Sequence, residues 1–284
     1  MPELPEVEAV TRGLQAIIIG KKISGFVVRE KKIFRGDIQN IIGAKIDSVF
    51  RVGKHIILSL NNERFVMIHL KMTGQLIFEG SGMRLSGGHP SRDLKVILPN
   101  KHTHLIVTFC DHSTLYFNDL RKFGYVREYP TTDLNNVTEL ENIGVDALSG
   151  RLTAEYLYSK AKKKKTLKIK QLIMDQKTIA GIGNIYADES LYCAGISPRR
   201  LARKITIREA GVLVKCIKKT LQKGIKYGGT SEKDYVNVDG KKGEMQKYLN
   251  VYRRTGRDCS KCEGKIKRIV VGGRGTHYCS ECQK

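Results

Sequence analysis

With 284 residues the chain is long enough for two or three compact units, each with a core of its own. Its 51 Lys and Arg against 28 Asp and Glu give a formal charge of +23, more than solubility requires, and this points to a polyanionic partner. No apolar run nears the roughly 20 residues that span a bilayer, and the acidic opening MPELPEVE is no secretory leader, so a membrane partner is excluded and a reducing cytoplasm is expected.

The first predicted element is a helix. Glu3, Pro5 and Glu6 suit its first turn, Val7, Val10, Leu14 and Ile17 give it one apolar face, and Gly20 ends it. From Ile23 to Tyr125 the texture changes to short β-branched or alternating runs: ISGFVVR, KIDSVFR, HIILSL, FVMIHL, QLIFE, LKVIL, HLIVTF and TLYFN. Such a series predicts a sandwich or barrel and leaves the strand pairing open. From about Thr131 to Tyr227 the pattern is helical, and its last helix, from Thr206 to Lys226, opens on a Thr206/Glu209 capping box and stops at Gly228. Within this helical domain, residues 160–170 hold seven lysines and no acid, which in isolation reads as a solvated face. Residues 228–244 are polar and glycine-rich, as in a long functional loop. The fold class is α+β: an N-terminal β-sandwich with a leading helix over 1–130, a helical domain over 131–228, a loop over 229–243 and a β-hairpin module over 244–284.

Four of seven cysteines fall in that last module. Cys259-x2-Cys262, sixteen residues, then Cys279-x2-Cys282 places two thiolate pairs where a tetrahedral Zn2+ needs them. Four sulfurs leave no site for water, so one structural zinc is expected, with no part in the chemistry. Cys110, Cys193 and Cys216 read as core thiols. Between the knuckles, KIKRIVV and THY form two strands with Arg274 at the hairpin tip, a position suited to a phosphate or a DNA groove. Residues 241–284 carry twelve Lys and Arg against four Asp and Glu, which favours nucleic acid as the partner.

Pro2 becomes a chain-terminal secondary amine once an initiator Met is removed. Titrating near ~8, such an amine is partly neutral at physiological pH and can attack a sugar C1′ to give an iminium. Alone, a proline before two glutamates is an ordinary helix cap. Together, however, MPELPEVE, HLKMTGQL, NDLRKFG, AGIGNIYADESL and VGGRGTHYCSECQ, in this order along the whole chain, resemble the bacterial formamidopyrimidine-DNA glycosylases. The sister branch directed at oxidised pyrimidines usually has Gly at the position of Leu4. A catalytically idle zinc-hairpin DNA binder would share the charge and the cysteines but would not need Pro2, Glu3 and Lys54.

The resemblance implies a helix–two-turn–helix domain, double-stranded DNA with an oxidised base or an abasic site as partner, and a monomer associated with the bacterial nucleoid. It implies removal of 8-oxoguanine and formamidopyrimidines, with β- then δ-elimination at the abasic sugar. Pro2 is then the nucleophile, Glu3 the acid that protonates the sugar ring oxygen, and Glu6 a supporting carboxylate. Lys54 touches a phosphate and moves a proton in β-elimination, and Arg274 does the same in δ-elimination. Met72, Arg121 and Phe123 fill the gap left by a flipped base; without the motifs, core packing would explain Met72 and Phe123. Gly181 and Gly183 permit a tight turn before a helix that starts at Asn184. Asn184, Tyr186, Lys170, His102 and Lys165 become DNA contacts, the last in a register ambiguous by one. Thr230, Ser231 and Tyr235 belong to a lesion-covering loop. Leu120 departs from the family, where proline is common.

Overall fold

The computed structural model describes residues 1–80, 82–88, 97–134, 136–230 and 243–284. They form two compact units: Met1–Glu141 with Ile225–Gln246, and Asn142–Gly224 with Lys247–Lys284.

In the first unit α1 (Leu4–Ile18) buries Val7, Val10, Leu14 and Ile18. The apolar stripe steps by four from Leu14 to Ile18, leaving the expected Ile17 only partly buried. The strands that follow are β1 (Ile23–Val28), β2 (Phe34–Arg35), β3 (Ile46–Val52), β4 (His55–Leu60), β5 (Arg64–His69), β6 (Gly74–Gly80), β7 (Met83–Gly88), β8 (Thr103–Phe109), β9 (Thr114–Asp119) and β10 (Tyr125–Pro130). They make two five-stranded sheets, ordered β1-β8-β9-β6-β7 and β2-β10-β5-β4-β3. Every pairing is antiparallel except β2 with β10. Alternate residues, among them Leu76 and Phe78, Leu105 and Val107, Leu115 and Phe117, Ile56 and Leu58, and Val66 and Ile68, meet in one core, as period-two strands dictate. α1 contacts β3 and β7, one edge strand of each sheet, and so closes one side of the sandwich. Gly87 lets it approach, since a Cβ there would fall 2.7 Å from Val10 Cγ2. Most of the predicted strand LKVIL lies outside the described residues. β7, read from MRLSGG, carries too little apolar alternation to predict.

After α2 (Thr138–Glu141), the second unit contains α3 (Ala154–Lys162), α4 (Ile169–Met174), α5 (Asn184–Ala194) and most of α6 (Ile207–Lys226), with the short pair β11 (Val145–Asp146) and β12 (Ile179–Ala180). The capping box at α6 is present: Glu209 N donates to Thr206 Oγ1 at 3.2 Å and Thr206 N to Glu209 Oε2 at 2.8 Å. The hairpin pairs β13 (Ile266–Val271) with β14 (Arg274–Cys279). Its two-residue turn is Gly272-Gly273, both at positive φ, +57° and +73°, as the tightest hairpins require. Arg274 therefore opens the return strand opposite Val271 instead of sitting at the tip.

Cys193 and Cys216 are a further correction. Placed side by side by α5 and α6, with Cα atoms 5.7 Å apart, they form a disulfide and are not the core thiols expected of a reducing compartment. Cys110 is exposed. Among the described residues no helix is long and apolar enough to cross a membrane.

Candidate functional site

At the start of α1, Pro2 is buried beneath an exposed Met1. Glu3 and Glu6 are 3% and 2% exposed, unusual for carboxylates and tolerable only because they are hydrogen-bonded. Glu6 Oε2 accepts from Glu3 N at 2.9 Å, and Glu6 Oε1 accepts from Thr230 N at 2.7 Å and Thr230 Oγ1 at 3.1 Å. One side chain thus fixes the backbone just after Pro2 and fastens Thr230, the third residue of the glycine-rich stretch, 224 positions away in sequence. Close approach here depends on Gly229, where a Cβ would fall 2.8 Å from Glu6 Cγ and Oε1. Ser231 and Tyr235 lie outside the described residues.

Lys54 is buried in the turn between β3 and β4. Arg51 ties this turn to α1, donating from Nη1 to Gly53 O at 2.9 Å and from Nε to Glu8 Oε2 at 2.9 Å. Burial pushes the Glu8 carboxyl up, but hydrogen bonds from Arg12 and Arg51 outweigh it and hold the group below its ordinary value. Next to Lys54, His55 Nε2 lies 2.9 Å from the Tyr125 hydroxyl and the His55 ring meets His69 edge-on at 4.6 Å. Burial lowers His55 to about 4, so the imidazole is neutral at physiological pH.

Met72, Arg121 and Phe123 are all exposed, the two apolar ones at 41% and 51%, which rules out core packing. They sit together: Arg121 Nη1 is 3.3 Å from Met72 Sδ, and its guanidinium lies 4.6 Å from the centre of the Phe123 ring. Their frame is Asp119, which sequence reading passed over. Its buried carboxylate accepts from Arg121 N at 3.0 Å, Gly124 N at 2.6 Å and the Thr73 hydroxyl, so one residue holds both loops. The aspartate directly before a turn in NDLRKFG was the available signal. Leu120, between Asp119 and Arg121, is exposed. His102 O accepts from Asp119 N at 3.0 Å, placing half-buried His102 at the same end of the sheet.

In the second unit Lys165 is exposed and Asn184 starts α5, with Nδ2 donating to Gly275 O at 3.0 Å. Tyr186 is fully buried against Gly224, where a Cβ would come within 2.6 Å of its ring. Lys170 departs from the surface phosphate contact expected of it. It is fully buried, 2.7 Å from Asp188 Oδ1, and donates to Thr276 Oγ1 at 2.8 Å and Gly275 O at 3.3 Å. Asp188 also accepts from His277 N at 2.8 Å. The exposed Arg274 thus precedes a segment braced by Lys170, Asn184 and Asp188.

The four knuckle sulfurs lie within 4.8 Å of one another, with separations of 3.7 Å (Cys259–Cys282), 3.6 Å (Cys262–Cys279) and 3.2 Å (Cys262–Cys282). A tetrahedron of Zn–S bonds has edges of about 3.8 Å, so the donor set fits. Without a cation the thiols compete for protons. Burial pushes Cys259 up, but a hydrogen bond from Tyr192 and the amides of Lys261 and Cys262 draw it down to about 6; the neighbouring Cys262 and burial push Cys282 up to about 12. A dication resolves that competition, and the four cysteines hold one structural zinc.

A helix-led sandwich, a helical unit with a glycine turn at a helix start, and a basic four-thiolate hairpin define a zinc-finger DNA-binding protein. Residues 1–126 match the formamidopyrimidine-DNA glycosylase N-terminal domain, 143–236 its H2TH domain, and 258–284 a zinc finger found in FPG and IleRS. The formamidopyrimidine-DNA glycosylases of Pelotomaculum thermopropionicum and Carboxydothermus hydrogenoformans are each 39% identical over 289 residues, covering 100% of this chain and 99% and 100% of theirs. The Lactococcus lactis Fpg in complex with DNA containing an abasic site is 32% identical, with a TM-score of 0.86 and 99% of each chain covered. The chain belongs to the formamidopyrimidine-DNA glycosylase family, whose members are DNA glycosylases of base excision repair.

Proposed function

We propose that this protein is a bifunctional glycosylase and abasic-site lyase that removes 8-oxoguanine and formamidopyrimidines from double-stranded DNA as a monomer associated with the bacterial nucleoid. The observation that carries this reading is the buried network at the start of α1, where Glu6 fixes the Glu3 backbone immediately after Pro2. Once Met1 is removed, the Pro2 amine lies beside the positive end of the helix, which disfavours a second positive charge and enlarges the neutral, nucleophilic fraction. Its lone pair attacks C1′ as the bond to the base breaks. The base leaves with the bonding pair and takes up the proton that the Pro2 nitrogen loses; Glu3 then gives its proton to the ring oxygen as the C1′–O4′ bond breaks, leaving an open-chain iminium. Lys54 takes the C2′ proton as the 3′ phosphate departs, and Arg274 assists loss of the 5′ phosphate. Met72, Arg121 and Phe123 fill the vacated stack, while His102, Lys165 and Asn184 grip phosphates.

Borohydride added during turnover on a duplex with 8-oxoguanine opposite cytosine is expected to trap a covalent adduct at the N-terminal residue, located by mass spectrometry. Glu3→Gln is expected to slow base release by about 10^2-fold or more while still forming the adduct on an abasic duplex. No adduct from protein whose N-terminus is processed to Pro2 would overturn the reading. Oxidised pyrimidines are a second substrate class, supported by the 32% identical Lactococcus lactis Fpg solved with an oxidised pyrimidine containing DNA; an adduct on that duplex alone would reassign the preference.

A further inference from the structure

Three consecutive residues of the first zinc knuckle, Cys259, Ser260 and Lys261, converge on one side chain of α5. The Tyr192 hydroxyl lies 3.1 Å from Cys259 Sγ and 3.0 Å from Ser260 Oγ. Lys261 Nζ donates to the α5 carbonyls of Tyr192 at 2.9 Å and Cys193 at 3.2 Å, and sits 4.4 Å from the centre of the Tyr192 ring. That ammonium complements the last carbonyls of α5, where Tyr192 O also accepts from Gly195 N at 3.2 Å. The ring itself is 2% exposed and packs with Val251, Ile266 and the ligands Cys259 and Cys279.

We infer that Tyr192 is a positioning residue for the zinc centre: its hydroxyl donates to the Cys259 thiolate and holds that sulfur in place, so that metal retention depends on α5. The direction of the bond follows from the metal. A zinc-bound thiolate carries no proton and can only accept, so the phenol proton points to sulfur and the phenol oxygen is left to accept from Ser260. The other donors to Cys259 Sγ are amides of the knuckle itself, Lys261 N at a long 3.4 Å and Cys262 N, so Tyr192 supplies the donor that comes from α5. Outer hydrogen bonds of this kind are worth about 10–100-fold in metal affinity in other metal sites.

The test uses the full-length, zinc-loaded protein and its Tyr192→Phe variant, which keeps the buried ring and removes only the hydroxyl. Zinc transfer to a chromophoric chelator is expected to be favoured by about 10-fold or more in the variant. Tyr156→Phe serves as control, since it removes another phenol hydrogen bond of the same unit, to Thr178 O at 2.8 Å, away from the metal. Its zinc transfer is expected to match wild type. With Co2+ in place of zinc, the sulfur-to-metal charge-transfer band is expected to shift in Tyr192→Phe and not in Tyr156→Phe. Lys261→Ala, at an exposed position, is expected to loosen the grip several-fold should Tyr192→Phe fold poorly. Equal zinc transfer and an unmoved cobalt band in Tyr192→Phe, or equal acceleration in both phenylalanine variants, would overturn the inference.

Discussion

Lys170 shows how a single side chain can depart from the role that a family resemblance implies. It belongs to a run of seven lysines that in isolation reads as a solvated face, and the family resemblance makes it a phosphate contact, yet it is the member that the fold buries completely and pairs with Asp188. A buried pair adds little over an apolar pair of the same shape, but breaking it leaves a charge without compensation. Lys170→Met is therefore expected to cost about 3–5 kcal/mol in urea unfolding. Lys165→Ala, exposed in the same run, is expected to cost less than about 0.5 kcal/mol. A smaller loss for Lys170→Met than for Lys165→Ala would contradict the buried pair. The partners explain the miss, since Asp188 and Thr276 stand 18 and 106 positions from Lys170 and no local pattern joins them. The same holds for the Cys193–Cys216 disulfide, whose members come from two helices. The zinc ligands are the opposite case, with their pairing written into the Cys-x2-Cys spacing.

Among the elements, β4, β5 and β10 meet at His55, His69 and Tyr125, whose rings pack together in register across the sheet. Burial lowers His55 from 6.5 to about 4 and lowers His69 as well, so both are neutral when folded and take up protons on unfolding at mildly acid pH. The sign follows: their contribution is full above pH 6.5 and is lost as pH falls from 6.5 towards 4. At about 1.4 kcal/mol per pH unit, His55 alone removes about 2 kcal/mol between pH 6.5 and 5. His55→Gln is expected to flatten that part of the stability curve, measured by urea unfolding at a series of pH values; an unchanged slope would mean that His55 titrates normally. The alternation of apolar residues was enough to read these strands, and the 3-4 spacing enough to read α1. Their order β1-β8-β9-β6-β7 was not legible, because period-two patterns specify faces and say nothing of neighbours.

For the molecule as a whole, charge and metal set the behaviour. A net +23 concentrated on a DNA partner means counterion release, so the logarithm of affinity is expected to fall with the logarithm of salt by about 0.9 for each phosphate neutralised. Arg274→Ala and Lys165→Ala are each expected to reduce that slope by about 1, read by titration at several salt concentrations. A slope near zero in wild type would remove the electrostatic basis of DNA binding. Zinc removal is expected to act through packing: two of the five residues that form the small core around Tyr192 and Val251 are metal ligands, so chelation dissolves the core along with the site. The thermal transition should fall on chelation and recover with added zinc.

The first unit is assembled from two stretches of chain, Met1–Glu141 and Ile225–Gln246, with most of the second unit threaded between them. On a ribosome this imposes an order of events. The sandwich strands emerge early and can pair, but Thr230, the partner of Glu6, is still unmade. At bacterial elongation rates the wait from Glu141 to Gln246 is roughly 5–20 s. For that interval the Glu6 carboxylate of a nascent chain has yet to meet the amide and hydroxyl of Thr230. The N-terminal network therefore completes only after the intervening helices have been translated, which ties formation of the proposed nucleophile's surroundings to synthesis of nearly the whole polypeptide.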